Sequence, residues 1–519
     1  MFRTVSGFVS GKASRRITPV WLPVSVVALL LRLPVFFLPA PGRDEAAYYY
    51  WSRHAEPAYA PLIQWLIRLT TLLPLPEVLA LRTGFLITGI GVLVLFDRLL
   101  SEAGATPPVR LVALAALAFS PWQTYTGALA HPDTPFLAAV LLFVITFRNN
   151  KKALAAFFAG VAVLSKPTGV AILAVALLCF ALDTRLRPVR RLAYSSLALI
   201  VASPVLLSFS GQMLAAISNF GKISADVSLP ARMAITAVSI FGLGGLLLPW
   251  AAMHGFMERM KDIRRAPSSR QRWLLLKDPA FAVAMVLLLG FLSAAIFRGQ
   301  IKGNWLLPGF VLLWPVSRIS LRPGYRVAVV VSFLLSAMMV IAMRSPGSVA
   351  LLENRVQFMQ SLYQQQAGAR EARVSRTRTW SQRLQEYQPM AGFAASVATC
   401  WCRTTGEQGG PKWIISDDYG LAAQLAFSWR NFSPRIIIPD DGIFFRTVPD
   451  DSCTTLRGGV LLMAVKTTCD RLWQRLPGHL REETVHHPQA GISVSIAGKE
   501  NVPLLLPDAK RSRGVLLTN

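Results

Sequence analysis

The stretch WLPVSVVALLLRLPVFFLPAPGRDEAAYYYW, residues 21–51, decides the fold class. Residues 21–40 are dominated by apolar side chains over the length a helix needs to cross a bilayer, about 17–25 residues. Two carboxylates, Asp44 and Glu45, follow at once, and then four aromatics, Tyr48, Tyr49, Tyr50 and Trp51. Upstream stand Arg3, Lys12, Arg15 and Arg16. A basic start, an apolar run and small residues near Ala40 have the outline of a signal peptide. The run is longer than such a core and many more follow it, so an uncleaved first helix with a cytoplasmic N-terminus is expected.

Across 519 residues the pattern repeats. Apolar residues make up 53% and charged residues 16%, against about 25% charged in soluble domains, and the mean hydropathy is +0.44. Further apolar runs lie near 78–96, 111–130, 134–147, 153–165, 169–182, 192–209, 233–256, 279–297, 305–317 and 325–343. This excludes a cytosolic enzyme, a disordered chain and a fibrous repeat. The expected class is an α-helical polytopic membrane protein with about eleven transmembrane helices.

The charge balance orients it. Lys and Arg number 54 against 27 Asp and Glu, a formal net charge of +27. Between residues 21 and 345 most of the bases fall in alternate segments between runs: Arg98 and Arg110; Arg148, Lys151 and Lys152; Arg185 to Arg191; Arg259 to Lys277; Arg318 to Arg326. Such segments face the cytoplasm and meet anionic headgroups. The basic excess therefore points to membrane lipids as partners, and no nucleic acid is expected. An odd number of spans leaves the C-terminus outside.

The composition changes near residue 345, giving a transmembrane region 1–345 and an extracytoplasmic region 346–519. Cys179 sits in an apolar run as a small buried hydrophobe. Cys400, Cys402, Cys453 and Cys469 all follow the last span, as expected for disulfides in an oxidising compartment. The rival, a metal site, meets a Cys-x-Cys spacing without the usual two-residue gap. WIIS (413–416), RIIIP (435–439) and VLLMAV (460–465) read as strands and LAAQLAFSW (421–429) as a helix, which together make a small α/β domain.

Chemistry concentrates in three outer segments. In RDEAAYYYWSRHAEPAYAPLIQWLIRLTTLLP, within the outer loop 43–77, Leu62, Trp65, Leu66 and Leu69 recur at helical spacing, so an amphipathic helix on the membrane face is expected. In GALAHPDTPFLAAV (127–140), His131 and Asp133 stand in a proline-bounded turn, where Asp133 also has the position of a helix cap. Lys166 in LSKPTG, and Arg298 and Lys302 in FRGQIKGNWLLPG, are cations at outer helix ends; such residues either snorkel or serve function.

In this order DEAAYYYW, PLIQWLIRL, HPDTP, LSKPTG, IKGNWLLPG and SDDYGLAAQLAFSW resemble membrane glycosyltransferases of the GT-C fold. The resemblance is to bacterial lipid A aminoarabinose and galacturonic acid transferases and to protein O-mannosyltransferases, and it runs to about residue 430. It implies a GT-C-like architecture in a bacterial inner membrane. The implied reaction moves a sugar from a polyprenyl-phosphate donor to a lipid or glycan acceptor, lipid A-like, on the periplasmic face. Asp44 resembles the essential carboxylate, Glu45 completes the pair and Asp133 resembles the second acidic residue. Lys166, Arg298 and Lys302 are expected to hold the lipid phosphate, and Tyr48, Tyr59, His131 and Trp305 complete the substrate-binding set. Tyr59 stands where relatives carry a basic residue, which leaves room for altered or lost activity.

A single phosphate leaves in such a reaction, and fixed cations stabilise its charge without a nucleotide pocket. Attack opposite it inverts the anomeric centre. No cofactor is required, and a divalent cation bridging carboxylate and phosphate is optional. The rival classes are a lipid or glycan flippase, which should show paired repeats and broken helices, and a catalytically inactive membrane protein. No internal repeat is visible.

Overall fold

The computed structural model describes residues 19–54, 60–220, 237, 240–245, 247–269, 278–298, 303–314, 323–345, 413–416, 419–430, 435–437, 454–456, 460–464, 483–487, 492–497, 502–505 and 516–517. These residues are mostly helical. The N-terminal part runs α1 (Trp21–Phe36), α2 (Arg43–His54), α3 (Pro61–Thr70), α4 (Glu77–Glu102), α5 (Pro107–Ala118), α6 (Pro121–Thr126), α7 (Asp133–Arg148), α8 (Lys152–Ser165), α9 (Gly169–Leu182) and α10 (Pro188–Phe220). After these come α11 (Leu247–Arg265), α12 (Pro279–Arg298), a 3-10 turn at Gly303–Trp305, α13 (Leu307–Leu313) and α14 (Pro323–Arg344).

By length and composition, Glu77–Glu102, Pro188–Leu207 and Gly324–Arg344 can each cross a bilayer. Trp21–Phe36, Pro107–Ala118, Lys152–Ser165, Gly169–Leu182 and Pro279–Ser293 are apolar but shorter. Three expected runs differ in detail. Run 111–130 is two helices, because Pro121 cannot continue a helix and instead opens α6. The Ser120 hydroxyl caps that start, accepting the Gln123 N–H at 3.2 Å. Among the described residues of run 305–317, the helix is the seven-residue α13, entered through the 3-10 turn and Pro308. For run 233–256, residues 240–244 are helical, and a longer helix runs from Leu247 through the basic residues to Arg265.

Small residues let the helices approach closely, as packing between membrane helices requires. α8 buries Ala155, Ala156, Ala159 and Ala162. A Cβ on Gly160 would lie 2.5 Å from Val201 Cβ on α10. Outward, Leu30, Ile87, Ile200, Leu207 and Met338 remain exposed, an apolar belt that suits lipid rather than water. α3 also presents Trp65 and Leu69 outward while burying Ile63, Gln64 and Ile67, the amphipathic arrangement its spacing predicts.

Several bases read as orientation signals also carry specific ion pairs. Arg110 grips Asp97 with two bonds of 2.7 Å, both side chains buried. Arg148 binds both oxygens of Asp278 at 2.8 Å, Arg259 approaches the same carboxylate at 3.2 Å, and Lys152 lies 3.3 Å from Asp183.

Among the described residues the C-terminal part contains α15 (Tyr419–Ser428) and eight strands: β1 (Trp413–Ser416), β2 (Arg435–Ile437), β3 (Thr454–Leu456), β4 (Val460–Ala464), β5 (Glu483–His487), β6 (Ile492–Ala497), β7 (Val502–Leu505) and β8 (Leu516–Leu517). One sheet has the order β2-β1-β4-β6-β5, in which β1 is parallel to both neighbours and β6 antiparallel to both of its own. A second, antiparallel sheet has the order β3-β7-β8. The three quoted strand stretches and the helix match β1, β2, β4 and α15. The sequence reading missed the other strands, including β6, whose ISVSIA alternates at period two. Cys400, Cys402, Cys453 and Cys469 lie outside the described residues.

Two large apolar cores result. One fills the helical bundle from α1 to α14. The other joins α2, α3 and the start of α4 to α15, β1 and β2.

Candidate active site

The chain leaving α1 is held by one side chain from α4. Arg82 donates through Nη1 to Phe36 O (2.9 Å) and Leu38 O (2.6 Å), and through Nη2 to Ala40 O (2.7 Å). It also binds Glu45 from Nε (2.9 Å to Oε1) and Nη2 (2.8 Å to Oε2). All five guanidinium N–H groups are thus used. Glu45 is equally engaged, accepting further bonds from Gly42 N at 3.0 Å and Ala130 N at 2.9 Å. The pair is buried, with side-chain exposures of 0% and 4%. Glu45 is therefore the fastening of the outer loop, and this geometry replaces the expectation that it works beside Asp44 as a second reactive carboxylate.

Asp44 occupies the preceding position in the first turn of α2. Successive helix residues lie about 100° apart, so with Glu45 turned inward Asp44 stands on a different face and is half-buried. The Ala130 bond connects this turn directly to the second acidic segment.

Asp133 opens α7, yet its carboxylate does not cap that helix. It accepts from Lys166 Nζ at 2.6 Å, Asn304 Nδ2 at 2.8 Å and Trp122 Nε1 at 2.9 Å. His131 Nδ1 lies 3.6 Å away, and Lys166 Nζ is 5.9 Å from the centre of the Trp305 ring. HPDTP, LSKPTG and GNW, separated by up to 171 residues, therefore meet at one carboxylate. The Lys166 charge is matched by Asp133, both buried. This differs from the expected cation awaiting a phosphate: the low-dielectric surroundings favour the neutralised pair.

The aromatics after Asp44 are core residues. Tyr48, Tyr49, Tyr50 and Trp51 are each at most 6% exposed. Tyr49 meets Phe427 edge to face at 5.0 Å, and the Tyr50 hydroxyl accepts the Ile436 N–H at 2.8 Å. Tyr48 thus packs inside the outer core, edge to face with Trp51 at 5.4 Å, instead of offering a face for a sugar. Tyr59 and Lys302 lie outside the described residues; Arg298 ends α12, with its backbone alone described.

Sequence reasoning missed Arg82, Trp122 and Asn304. Arg82 had a visible signal, a charge inside the apolar run 78–96, where ionisable residues mark function by default. Arg32 carries the same signal in α1: its guanidinium is fully buried, and among the described residues none of its three nitrogens has a hydrogen-bond partner. Among the described residues no three His, Cys, Asp or Glu side chains gather as metal ligands.

With the site assembled, similarity to known proteins becomes informative. Residues 56–207 match the family of dolichyl-phosphate-mannose-protein mannosyltransferases. The chain resembles these GT-C fold glycosyltransferases, as its motifs imply. The matched mannosyltransferase region includes Arg82, Trp122, Asp133 and Lys166, whereas Asp44 and Glu45 precede it. Among solved structures, the chain is similar to ArnT from Cupriavidus metallidurans in the apo state, with 14% identity over 92% of this chain and 97% of that one and a TM-score of 0.48. The same protein bound to undecaprenyl phosphate gives 15% identity over the same shares and a TM-score of 0.42. An oligosaccharyltransferase from Archaeoglobus fulgidus, tethered to an acceptor peptide, gives 10% identity over 80% of this chain and 63% of that one, with a TM-score of 0.38. No curated protein matches the chain.

Proposed function

We propose that the protein is a membrane glycosyltransferase that moves a sugar from a polyprenyl-phosphate carrier to a lipid or glycan acceptor of lipid A type at the periplasmic face of a bacterial inner membrane. The carrying observation is the joining of the Asp44 turn to the Asp133 segment through Glu45 and Ala130 N. Two acidic motifs 89 positions apart are tied together by this bond, which supports reading them as one site. The mannosyltransferase family match supports a lipid-phosphate-linked donor in kind.

In this reading Asp44 faces the acceptor. It takes the proton from an acceptor hydroxyl, or orients an acceptor phosphate that is already ionised. Asp133, with Lys166, Asn304 and Trp122 fixed on it, forms the opposite wall. Because Lys166 is paired, the charge developing on the leaving phosphate falls to Arg298 and Lys302. Attack opposite that phosphate inverts the sugar.

The test is mass spectrometry of lipid A and surface glycans from cells with and without the protein. A defined mass lost in its absence supports transfer; unchanged glycans with an altered sidedness of the lipid-linked sugar would favour a flippase instead. Asp44→Asn at matched membrane abundance should lower transfer by about 10²–10⁴ if Asp44 is the general base. Wild-type transfer by that variant would remove Asp44 from the mechanism.

A further inference from the structure

The C-terminal part touches the Asp44 turn at a defined place. α15 lies along α2, and at its start Gly420 abuts the Arg43 side chain so closely that a Cβ there would be 2.6 Å from Arg43 Cβ. One turn on, buried Gln424 donates from Nε2 to Pro41 O at 3.1 Å. Pro41 is bonded to Gly42, whose N–H holds Glu45 Oε2. A continuous path therefore runs from Gln424 through Pro41–Gly42 to Glu45, and from Glu45 to Arg82 and Ala130 N. Farther along, Arg430 pairs with Glu77 at the start of α4, and the Tyr50 hydroxyl is held by Ile436 N. The start of α2 is thus held both by Arg82 of α4 and by α15.

We propose that α15 is a positioning element for the reaction and that Gln424 is a positioning residue which fixes the turn carrying Asp44. The inference rests on the assignment of Asp44 made above. A carbonyl held by one buried side-chain donor sets the path of a proline-glycine turn, and Asp44 is three residues beyond that carbonyl. Loss of the donor leaves Pro41 O unsatisfied in a buried place and lets the turn relax, while the apolar α2–α15 contact persists.

The experiment compares wild type, Gln424→Met, Asp44→Asn and the double variant in the full-length protein. Two readings are taken: amide hydrogen exchange of the 39–48 segment, and glycan transfer in membranes containing the cell's own lipid-linked donors. Gln424→Met should accumulate normally, exchange faster in that segment and transfer about 10–100-fold more slowly, the scale of a misplacement near 1 Å. In the Asp44→Asn background it should cost nothing further, because it acts through Asp44. Unchanged exchange and transfer in Gln424→Met, or a full additive loss in the double variant, would overturn the proposal. Should Gln424→Met fail to accumulate, Gly420→Ala, which adds one methyl group against Arg43, carries the same two readings. If Asp44→Asn transfers like wild type, the assignment of Asp44 falls, and exchange in Gln424→Met alone still decides whether α15 fixes the turn.

Discussion

At the scale of single residues, adjacency in sequence and equivalence in role part company. Asp44 and Glu45 read as one acidic pair, and both types suit the chemistry. Folding separates them, because the helix rotates one toward Arg82 and leaves the other half-buried. What remained illegible was a partner 37 positions away. Glu45→Gln should therefore be more damaging to the fold than Asp44→Asn, since it leaves the buried Arg82 charge uncompensated at a cost of about 3–5 kcal/mol. Membrane abundance and thermal unfolding in detergent should fall for Glu45→Gln and stay near wild type for Asp44→Asn; equal stabilities would contradict the clamp. Arg32 gives the opposite sign. Its guanidinium is buried with no hydrogen-bond partner among the described residues, so Arg32→Met should raise stability, on the order of 1–3 kcal/mol, the penalty of an unsatisfied buried group. A lower unfolding temperature for that variant would show that Arg32 has a stabilising partner.

At the scale of elements, hydropathy located most helices and could not see how they are interrupted. Runs 134–147, 153–165 and 169–182 correspond to α7, α8 and α9: the last two hold no proline, and Pro135 stands in the first turn of α7, where its missing N–H costs no intrahelical bond. Run 111–130 looked equally continuous, yet Pro121 divides it. The convergence of HPDTP, LSKPTG and GNW was legible only as a shared side of the membrane; the contact itself depends on helix packing that no local pattern encodes. α8 shows how such packing is specified. Gly160 lies against Val201 with no room for a side chain, so Gly160→Leu should force α8 and α10 apart, costing about 1–3 kcal/mol or more through overpacking. Lower membrane abundance with unchanged donor specificity is the expected result, and a fully abundant, stable Gly160→Leu protein would show that the contact yields.

At the scale of the whole molecule, the basic segments predict an N-terminus inside and a C-terminus outside. A reporter fused after Asn519 should be active only on the outer side, and fluorescence from a cytoplasm-only reporter would reverse the orientation. β1, β2, β4 and α15 were each legible as a strand or a helix, whereas the contact of α15 with α2 was not, since nothing in YYYW distinguishes a sugar platform from a core. That attachment has a consequence in time. Tyr50 and Ile436, which share a hydrogen bond, are 386 residues apart. At about 5–20 residues per second of synthesis, the aromatic face of α2 leaves the ribosome roughly 20–80 s before the segment that covers it. Throughout that interval Tyr49 and Tyr50 lack the Phe427 ring and the Ile436 N–H that they meet in the finished protein. The contact between α2 and the C-terminal part is thus among the last parts of the molecule to be completed, and a nascent chain stopped before residue 413 carries its acidic turn held by Arg82 and Ala130 N, without α15.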